Sequence, residues 1–201
     1  MNACALQLLG LSVPIVLASA SPRRRHLMAM LGLEVDIVPA QLNEDAFVGL
    51  QPRQYVETLA LRKAESVQRS RPGSIIVGAD TTVVLENHIL NKPADADDAH
   101  RMLRQLSGRT HTVWTGVAVL WRTMRLVDSR ATSVTFRTLD TDEIAAYVAS
   151  GSPLDKAGSY GIQDDFGATF VRSIEGCYYT VVGLPVELLY RMLRIVARVI
   201  R

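Results

Sequence analysis

One stretch of the sequence, residues 74–93, places a carboxylate and a lysine close together between apolar runs. Asp80 follows the apolar residues 75–77, and Lys92 follows a second apolar run and a turn at residues 86–88. An acid at the end of a buried strand is a common way for an α/β protein to present chemistry at a sheet edge. An ordinary hairpin with a polar corner explains the same pattern, and this stretch alone does not decide between the two.

Hydroxyl and guanidinium groups gather where an early apolar run meets a helix. Ser21 suits an N-cap and Pro22 the first helical position, so the helix should begin there. Ser19 lies in the turn, and Arg23 and Arg24 lie in the first helical turn, where each cation opposes the helix dipole by about 0.3–1 kcal/mol. A bound phosphate would offset this cost, because it accepts the free N–H groups and pairs with guanidiniums. We therefore expect an anion site, with a solvated basic turn as the alternative.

A lysine also lies on the apolar stripe of a second helix, predicted over residues 52–70. Lys63 follows Leu59 by four residues and precedes Val67 by four, so all three share one helix face. A lysine on such a face either extends along the core to solvent or points into a site. The pattern leaves both interpretations open.

The remaining polar candidates lie in loops. Glu44 and Asp80 suit a hard divalent cation, which prefers oxygen ligands. Lys156 and Gln163 lie among glycines, an arrangement that suits close approach of the backbone to a ligand, or merely a turn. Cations around phosphates, a hard metal ion and a carboxylate that activates water are what cleavage of a phosphoanhydride requires. Spacing alone does not show that these residues meet.

Several other kinds of site are excluded by their missing motifs. The sequence has no Walker GxxxxGK[ST], no HExxH and no GxSxG, and its four histidines show no metal-ligand spacing. Asp95, Asp97 and Asp98 resemble a metal cluster, but they open a predicted helix, where acids complement the positive end of the dipole. We favour the dipole interpretation.

Composition indicates an ordinary globular protein. The 201 residues are 48% hydrophobic and 21% charged with net charge +2, so no general polyanion-binding function is indicated. Cys4 and Cys177 cannot form a disulfide framework, which favours a reducing cytoplasm.

Residues 1–20 resemble a secretory signal, but no basic residue precedes Arg23 and Pro14 interrupts the apolar run. Neither a cleaved signal nor a membrane span is expected.

The alternation of patterns predicts an α/β domain with several antiparallel strand pairs. We expect residues 110–121 and 126–136 to pair, and Thr141 to cap a helix over residues 142–150. The other predicted strands are residues 15–18, 33–38, 168–174 and 178–182, and the other predicted helices begin at Pro22, Pro52, Ala94 and Pro185.

From Val16 to about Leu189, the sequence resembles the Maf family of nucleoside triphosphate pyrophosphatases. The blocks that carry the resemblance are LASASPRRRHLMAMLG, the Asn43-Glu44 loop, LALRKA, VGADTTVVLENHILNKP, MLRQLSGRTHTVWTGVAV, VTFR, YVASGSPLDKAGSYGIQ and VVGLP. The arginine pair, Thr81 and the SYGIQ run are similar to the branch that acts on dTTP and UTP. A sister branch, which acts on 7-methyl-GTP, differs at these places.

The resemblance implies hydrolysis between the α and β phosphates, giving a nucleoside monophosphate and pyrophosphate. It implies a divalent metal cofactor (Mg²⁺, Mn²⁺ or Co²⁺), a cytoplasmic location and commonly a homodimer. The sequence has no basic stripe with interleaved aromatic residues, so no nucleic-acid partner is expected, and no membrane partner is expected either. The implied fold is an elongated mixed β-sheet flanked by helices, with two lobes and a central cleft, as in inosine triphosphatases. Residues 1–201 would form one Maf-like domain, with residues 1–12 as an extension outside the match.

Site roles carried over from the family fall into four groups. The catalytic group is Asp80, Lys92 and Lys63; base specificity is assigned to Arg23, Thr81 and Gln163; phosphate binding to Ser19, Arg24 and Lys156; and metal binding to Glu44 and Asp80. One departure is Asp164-Asp165-Phe166, where smaller residues are expected, so extra acid beside the base pocket could alter selectivity. The alternatives are a nucleotide-binding regulator of septum formation that does not turn over its ligand, and a 7-methyl-GTP pyrophosphatase.

Overall fold

A computed structural model describes residues 9–42, 49–163 and 166–200 of the chain. The strands are β1 (Ile15–Leu17), β2 (Val35–Ile37), β3 (Ile75–Leu85), β4 (His88–Leu90), β5 (Thr110–Trp121), β6 (Met124–Phe136) and β7 (Val171–Glu175). The α-helices are α1 (Pro22–Met30), α2 (Pro52–Gln68), α3 (Ala96–Leu106), α4 (Thr141–Ala149), α5 (Tyr178–Val182) and α6 (Val186–Ile200), and short 3₁₀ helices cover Ser152–Asp155, Ala157–Ser159 and Phe166–Phe170.

The strands form a mixed sheet, as the sequence predicted. Their order is β2-β1-β3-β5-β6-β7, and β4 pairs with β3. β1 runs parallel to both β2 and β3, whereas β4 and β7 run antiparallel to β3 and β6. The α/β class with a mixed sheet and flanking helices is therefore confirmed.

By its internal contacts the chain divides into two compact units. The first comprises Met1–Asp80, Thr115–Arg130 and Gly183–Arg201. Its core includes a cluster of small and branched side chains from α2 and the sheet, among them Ala60, Ala64 and Val67. Val67 belongs to the helical stripe predicted from the sequence, and Ala60 and Ala64 are buried on the same helix. Leu9, inside the predicted extension, is 1% exposed, so this residue packs into the protein.

The second unit comprises Thr81–Trp114 and Ala131–Val182. Its core is rich in aromatic residues and includes Phe136, Tyr147, Tyr160 and Phe170. Across the described part of the chain, no helix is long and apolar enough to span a membrane.

Most predicted elements are present, but some predictions at the level of single elements were wrong. Residues 178–182 form the helix α5 rather than a strand, and residues 166–170 form a 3₁₀ helix before β7. In the first case Cys177 uses its backbone N–H and C=O to bond the Thr132 hydroxyl, and Thr180 N donates back to Cys177 O in a local turn. The backbone groups of Cys177 are thus satisfied by a side chain of β6 and by a turn, and not by a ladder with a neighbouring strand.

The cap of α4 also differs from the prediction. The helix begins at Thr141 itself, so its N-cap is Asp140, one residue earlier than expected. Glu143 accepts a hydrogen bond from Asp140 N at 3.0 Å, which satisfies a donor at the helix entrance.

Candidate active site

The turn between β1 and α1 is built by its serine hydroxyls. Ser21 is the N-cap and accepts from Arg24 N at 3.4 Å, as its position before Pro22 predicted. Ser19 is 8% exposed, and its hydroxyl accepts from Ser21 N at 3.2 Å. No acidic residue lies in the first turn of α1, so the cations there have no acidic neighbour on their own helix turn.

Arg24 connects this turn by a hydrogen bond to the segment that precedes α6. Its Nε donates to Gly183 O at 2.8 Å, and its Nη1 donates to the Ser19 hydroxyl at 3.2 Å. Part of the guanidinium therefore holds the turn in shape. Arg23, the other half of the predicted pair, is half-buried. Phosphate binding by these two residues stays a prediction.

Lys63 points to Asp80, which decides between the two interpretations of its place on the α2 stripe. Its Nζ donates to Asp80 Oδ1 at 2.6 Å, and the two side chains are only 14% and 9% exposed. Charge-assisted hydrogen bonds of this length are strong, and screening by water is weak at such low exposure. Two of the three predicted catalytic residues therefore form one nearly buried ion pair.

Two glycines on the sheet allow α2 to lie close enough for this contact. A Cβ at Gly78 would lie 2.2 Å from Ala60 O, and one at Gly116 would lie 2.4 Å from Val56 O. Both glycines therefore face the backbone of α2, and Gly78 shares a sheet face with Asp80 because strand side chains alternate. The sequence analysis did not identify this close packing of α2 on the sheet, although the small residues Gly78 and Ala60 indicate it.

Asp80 does not lie at the end of its strand, so that part of the prediction was wrong. It is the sixth residue of β3, which continues unbroken from Ile75 to Leu85. The strand that ends is its neighbour β1, whose last residue, Leu17, pairs with Val77. Ser19 and Asp80 both follow this last pair, beyond the carboxyl end of β1, and the carboxyl ends of parallel strands are where open α/β sheets bind ligands.

The candidate residues of the second unit have separate environments. Thr81 and Gln163 are half-buried, and Lys92 is exposed in the loop between β4 and α3. Lys156 is 12% exposed at its side chain and donates to Asp155 Oδ1 at 2.8 Å and to the Ser152 hydroxyl at 3.2 Å. Its ammonium group thus supports its own turn, and its predicted contact with phosphate stays a prediction.

A buried histidine and tyrosine in the second unit were not singled out from the sequence. His111 Nε2 and Tyr160 Oη lie 2.8 Å apart, and the residues are 2% and 5% exposed. Burial lowers the pKa of His111 from 6.5 to about 4 and raises the pKa of Tyr160, so both side chains are neutral at pH 7. Tyr160 belongs to the SYGIQ run, which was the available signal.

The acids at the start of α3 occupy its N-cap and first turn, as the dipole interpretation predicted. Asp95 is the N-cap and accepts from Asp98 N at 2.8 Å. Asp98 in turn accepts from Ala94 N, and this backbone bond is the main reason that the pKa of Asp98 is lowered.

The predicted metal ligands are only partly described. Glu44, with the loop around it, lies outside the described residues, as do Asp164 and Asp165. Within residues 9–42, 49–163 and 166–200, no three His, Cys, Asp or Glu side chains are grouped to hold a metal ion. Mg²⁺ commonly uses only one or two carboxylates together with water and substrate phosphates. The low exposure and oxygen chemistry of Asp80 are compatible with such a site.

Comparison with known proteins identifies the family. The family model described as Maf-like protein matches residues 14–196. A relative from Moorella thermoacetica named dTTP/UTP pyrophosphatase is 51% identical over 90% of this chain and 94% of its own. Relatives of the same name from Koribacter versatilis and Salinibacter ruber are 45% and 47% identical, over 92% and 93% of this chain and 95% and 93% of theirs.

A solved structure, protein VC0702 from Vibrio cholerae, aligns with a TM-score of 0.39 and 14% identity over 70% of this chain and 79% of that one. This likeness is too weak to support a conclusion. The family match covers most of the chain and the relatives align over nearly all of it, so the chain belongs to the family of Maf-like proteins.

Proposed function

We propose that this protein is a nucleoside triphosphate pyrophosphatase that hydrolyses dTTP and UTP to the monophosphate and pyrophosphate. The observation that carries the proposal is the nearly buried Lys63–Asp80 pair, which, like the serine–arginine turn, follows the last residue pair of β1 and β3. The names of relatives that align over nearly the whole chain support the choice of dTTP and UTP. The geometry of the site and the names of the relatives thus support the same reaction.

The proposed mechanism begins with a water molecule that attacks the α-phosphorus. Asp80 accepts a proton from this water as the new P–O bond forms, and the bond from the α-phosphorus to the α–β bridging oxygen breaks. Pyrophosphate leaves with the electron pair of that bond, and the water oxygen stays in the monophosphate. Lys63 fixes the carboxylate through its 2.6 Å hydrogen bond, so the base is oriented before substrate binds.

The basic turn provides the contact with phosphate in this proposal. Ser19 and Arg24 form a preorganised hydroxyl–guanidinium pair at the start of α1, where the positive end of the helix dipole also favours an anion. Arg24 is held by Gly183 O, so it loses little side-chain freedom when the phosphates arrive.

A divalent metal ion would bind at Asp80, with Glu44 as a further proposed ligand. Such an ion, when bound, would offset negative charge on the phosphates. Mg²⁺, Mn²⁺ and Co²⁺ are the candidates. Chelation with EDTA should abolish pyrophosphate release, and separate titration of the three ions should restore it.

We assign the choice of base to Arg23, Thr81 and Gln163. A carboxamide can both donate and accept, as recognition of a pyrimidine edge requires. Lys92 and Lys156 are proposed to balance phosphate charge. For Lys156 this role would require exchange of its bonds to Ser152 and Asp155.

We also propose that the protein acts as a cytoplasmic homodimer without a nucleic-acid or membrane partner. The one cysteine in the described part of the chain, Cys177, is a free thiol, which suits a reducing compartment. Sedimentation equilibrium at several concentrations would measure the subunit number.

A nucleotide panel tests the proposed function. The full-length protein is incubated with dTTP, UTP, CTP, 5-methyl-UTP, pseudo-UTP and 7-methyl-GTP in the presence of Mg²⁺ or Mn²⁺, and initial rates of pyrophosphate release are measured. Fastest release from dTTP and UTP supports the proposal. Preference for 7-methyl-GTP would reassign the branch, and tight binding of dTTP without turnover would support the regulator instead.

A further inference from the structure

The segment that leads into Gln163 has an unusual backbone conformation. Ser159 has φ 62°, in the left-handed region that residues with a side chain rarely adopt, and it is fully buried. Gly158 before it has φ 67°. Strained backbone persists only where the surroundings hold it, and such strain is concentrated at functional sites.

Contacts from three other parts of the second unit hold this segment. Gly158 N donates to Asn91 O at 3.1 Å, and a Cβ at Gly158 would lie 2.8 Å from a methyl group of Val83. The Ser159 hydroxyl lies 3.2 Å from the sulfur of Met102 in α3. Both sides of the left-handed turn are therefore fixed before Tyr160 is reached.

Tyr160 provides the deepest contact. Its Oη lies 2.8 Å from His111 Nε2 on β5, and its ring packs edge-on against His111 and Phe136, with centroids 5.3 and 4.7 Å apart. The next residue, Gly161, donates its N–H to Tyr147 Oη at 3.3 Å. The chain is thus held at two consecutive residues, directly before Ile162 and Gln163.

The hydrogen bond has a preferred direction. His111 Nδ1 is buried without a partner. If His111 donated from Nε2, both the Tyr160 hydroxyl proton and the Nδ1 lone pair would be unmatched. If Tyr160 donates to Nε2, only the Nδ1 proton is unmatched. The second arrangement leaves fewer buried polar groups unsatisfied, so we assign the proton of this bond to Tyr160.

We propose that the buried His111–Tyr160 hydrogen bond positions Gln163, so that these two residues set nucleobase selectivity without touching the substrate. This inference rests on the proposed role of Gln163 in base recognition. Phenylalanine at both positions would fill a similar volume and would leave no unsatisfied nitrogen in the core. A bond that carries this cost in the core is consistent with a positioning role in addition to packing.

The test separates positioning from stability by three variants of the full-length protein. Tyr160→Phe removes the hydroxyl and leaves the histidine unpaired. The double variant His111→Phe/Tyr160→Phe removes both partners, which restores a fully apolar contact but not the bond. Thr132→Val is the matched control: it removes a buried hydroxyl of the same unit, one that bonds Cys177 and not the 157–163 segment.

Two measurements are made on each variant. Dissociation constants of α,β-methylene dTTP and α,β-methylene dCTP report base selectivity without turnover, and kcat with dTTP reports chemistry. We expect both Tyr160 variants to lose about tenfold of the dTTP preference, the size of one hydrogen bond, with kcat within about twofold. Thr132→Val should keep the wild-type preference even where its melting temperature falls.

The inference is overturned if the Tyr160 variants keep the wild-type ratio of the two dissociation constants, if the control loses as much, or if the wild-type protein shows no preference. A loss of the dTTP preference in the Tyr160 variants, but not in the control, supports it. This holds even if the wild-type protein releases no pyrophosphate, a result that would reject the proposed function but not this inference.

Discussion

Asp80 and Lys63 form an ion pair that stability alone does not explain. Their side chains are 9% and 14% exposed, and a pair at this depth loses much of its attraction to the cost of removing both charges from water. A well-packed apolar pair would often be as stable. We therefore attribute the pair to the proposed function, in which Lys63 holds the Asp80 carboxylate in a fixed orientation.

The first prediction concerns the carboxylate. Asp80→Asn keeps the shape of the side chain but cannot accept a proton at neutral pH, so kcat for pyrophosphate release should fall by at least about 10²-fold. Initial rates with saturating dTTP measure this change. Asp97→Asn, which removes an exposed acid in the first turn of α3, is the control and should leave kcat unchanged. Retained activity in the Asp80 variant would remove this residue from the role of base.

A second prediction concerns the lysine. Lys63→Met keeps the apolar stem but leaves the Asp80 carboxylate without its cation, which should lower the free energy of unfolding by about 3 kcal/mol. Urea unfolding followed by circular dichroism measures it. The double variant Lys63→Met/Asp80→Leu, which removes both charges, should recover most of the loss. Equal destabilisation in the single and double variants would show that the unpaired Asp80 carboxylate is not the cause of the lost stability.

At the scale of elements, the approach of α2 to the sheet determines whether the pair can form. A methyl group at Gly78 would lie 2.2 Å from Ala60 O, which is closer than atomic contact allows. Because Ala60 O is a backbone atom of α2, the overlap can be relieved only if the helix moves. We predict that Gly78→Ala lowers the free energy of unfolding by about 1–3 kcal/mol and lowers kcat as well, because Lys63 moves with α2.

Gly73→Ala provides the matched control for this substitution. Gly73 lies before β3 with open space around its Cβ position, so the same change there should leave both the melting temperature and kcat near their wild-type values. If Gly78→Ala behaved like Gly73→Ala, the close packing of α2 would not be what positions Lys63.

The sequence predicted the elements that have a clear period, and missed those that do not. α2 was predicted because apolar residues recur along it at spacings of three and four, and these residues, Val56, Leu59, Ala60, Ala64 and Val67, are buried in the structure. α5 has only five residues, too few for a helical period, and its β-branched and aromatic side chains favour a strand. Its conformation is set by bonds to Thr132, far away in sequence.

Prediction of the site was limited in the same way. The serine–arginine turn was predictable because capping depends on residues within four positions of each other. The partner of Asp80 was not, since Lys63 lies 17 residues away on another element and only packing brings them together. Family resemblance assigned both residues to the site, but did not show that they bond each other.

At the scale of the whole molecule, folding stability should depend on pH through His111. Its pKa falls from 6.5 to about 4 on folding because burial disfavours the imidazolium. Between these values the unfolded chain binds a proton that the folded protein does not, so stability falls as pH decreases through this window, by about 3 kcal/mol in all. Urea unfolding at a series of pH values measures the slope.

Two comparisons isolate this effect. His111→Phe has no group to titrate at this position and should lose the slope between pH 6.5 and 4. Arg137 lowers the pKa of the Glu143 carboxyl from 4.5 to about 2. The stability that this carboxyl contributes is present above pH 4.5 and is lost as pH falls from 4.5 to about 2, which is a lower pH window than that of His111. A slope that is unchanged in His111→Phe would assign the effect to other groups.

The position of bond cleavage is the most direct test of the account. Hydrolysis of dTTP in H₂¹⁸O with Mg²⁺, followed by mass spectrometry of the products, shows which phosphorus the water attacks. We predict pyrophosphate as the first product and ¹⁸O in dTMP alone, with both signals lost in Asp80→Asn. Orthophosphate as the first product, or ¹⁸O in pyrophosphate, would contradict attack at the α-phosphorus and with it the assigned reaction.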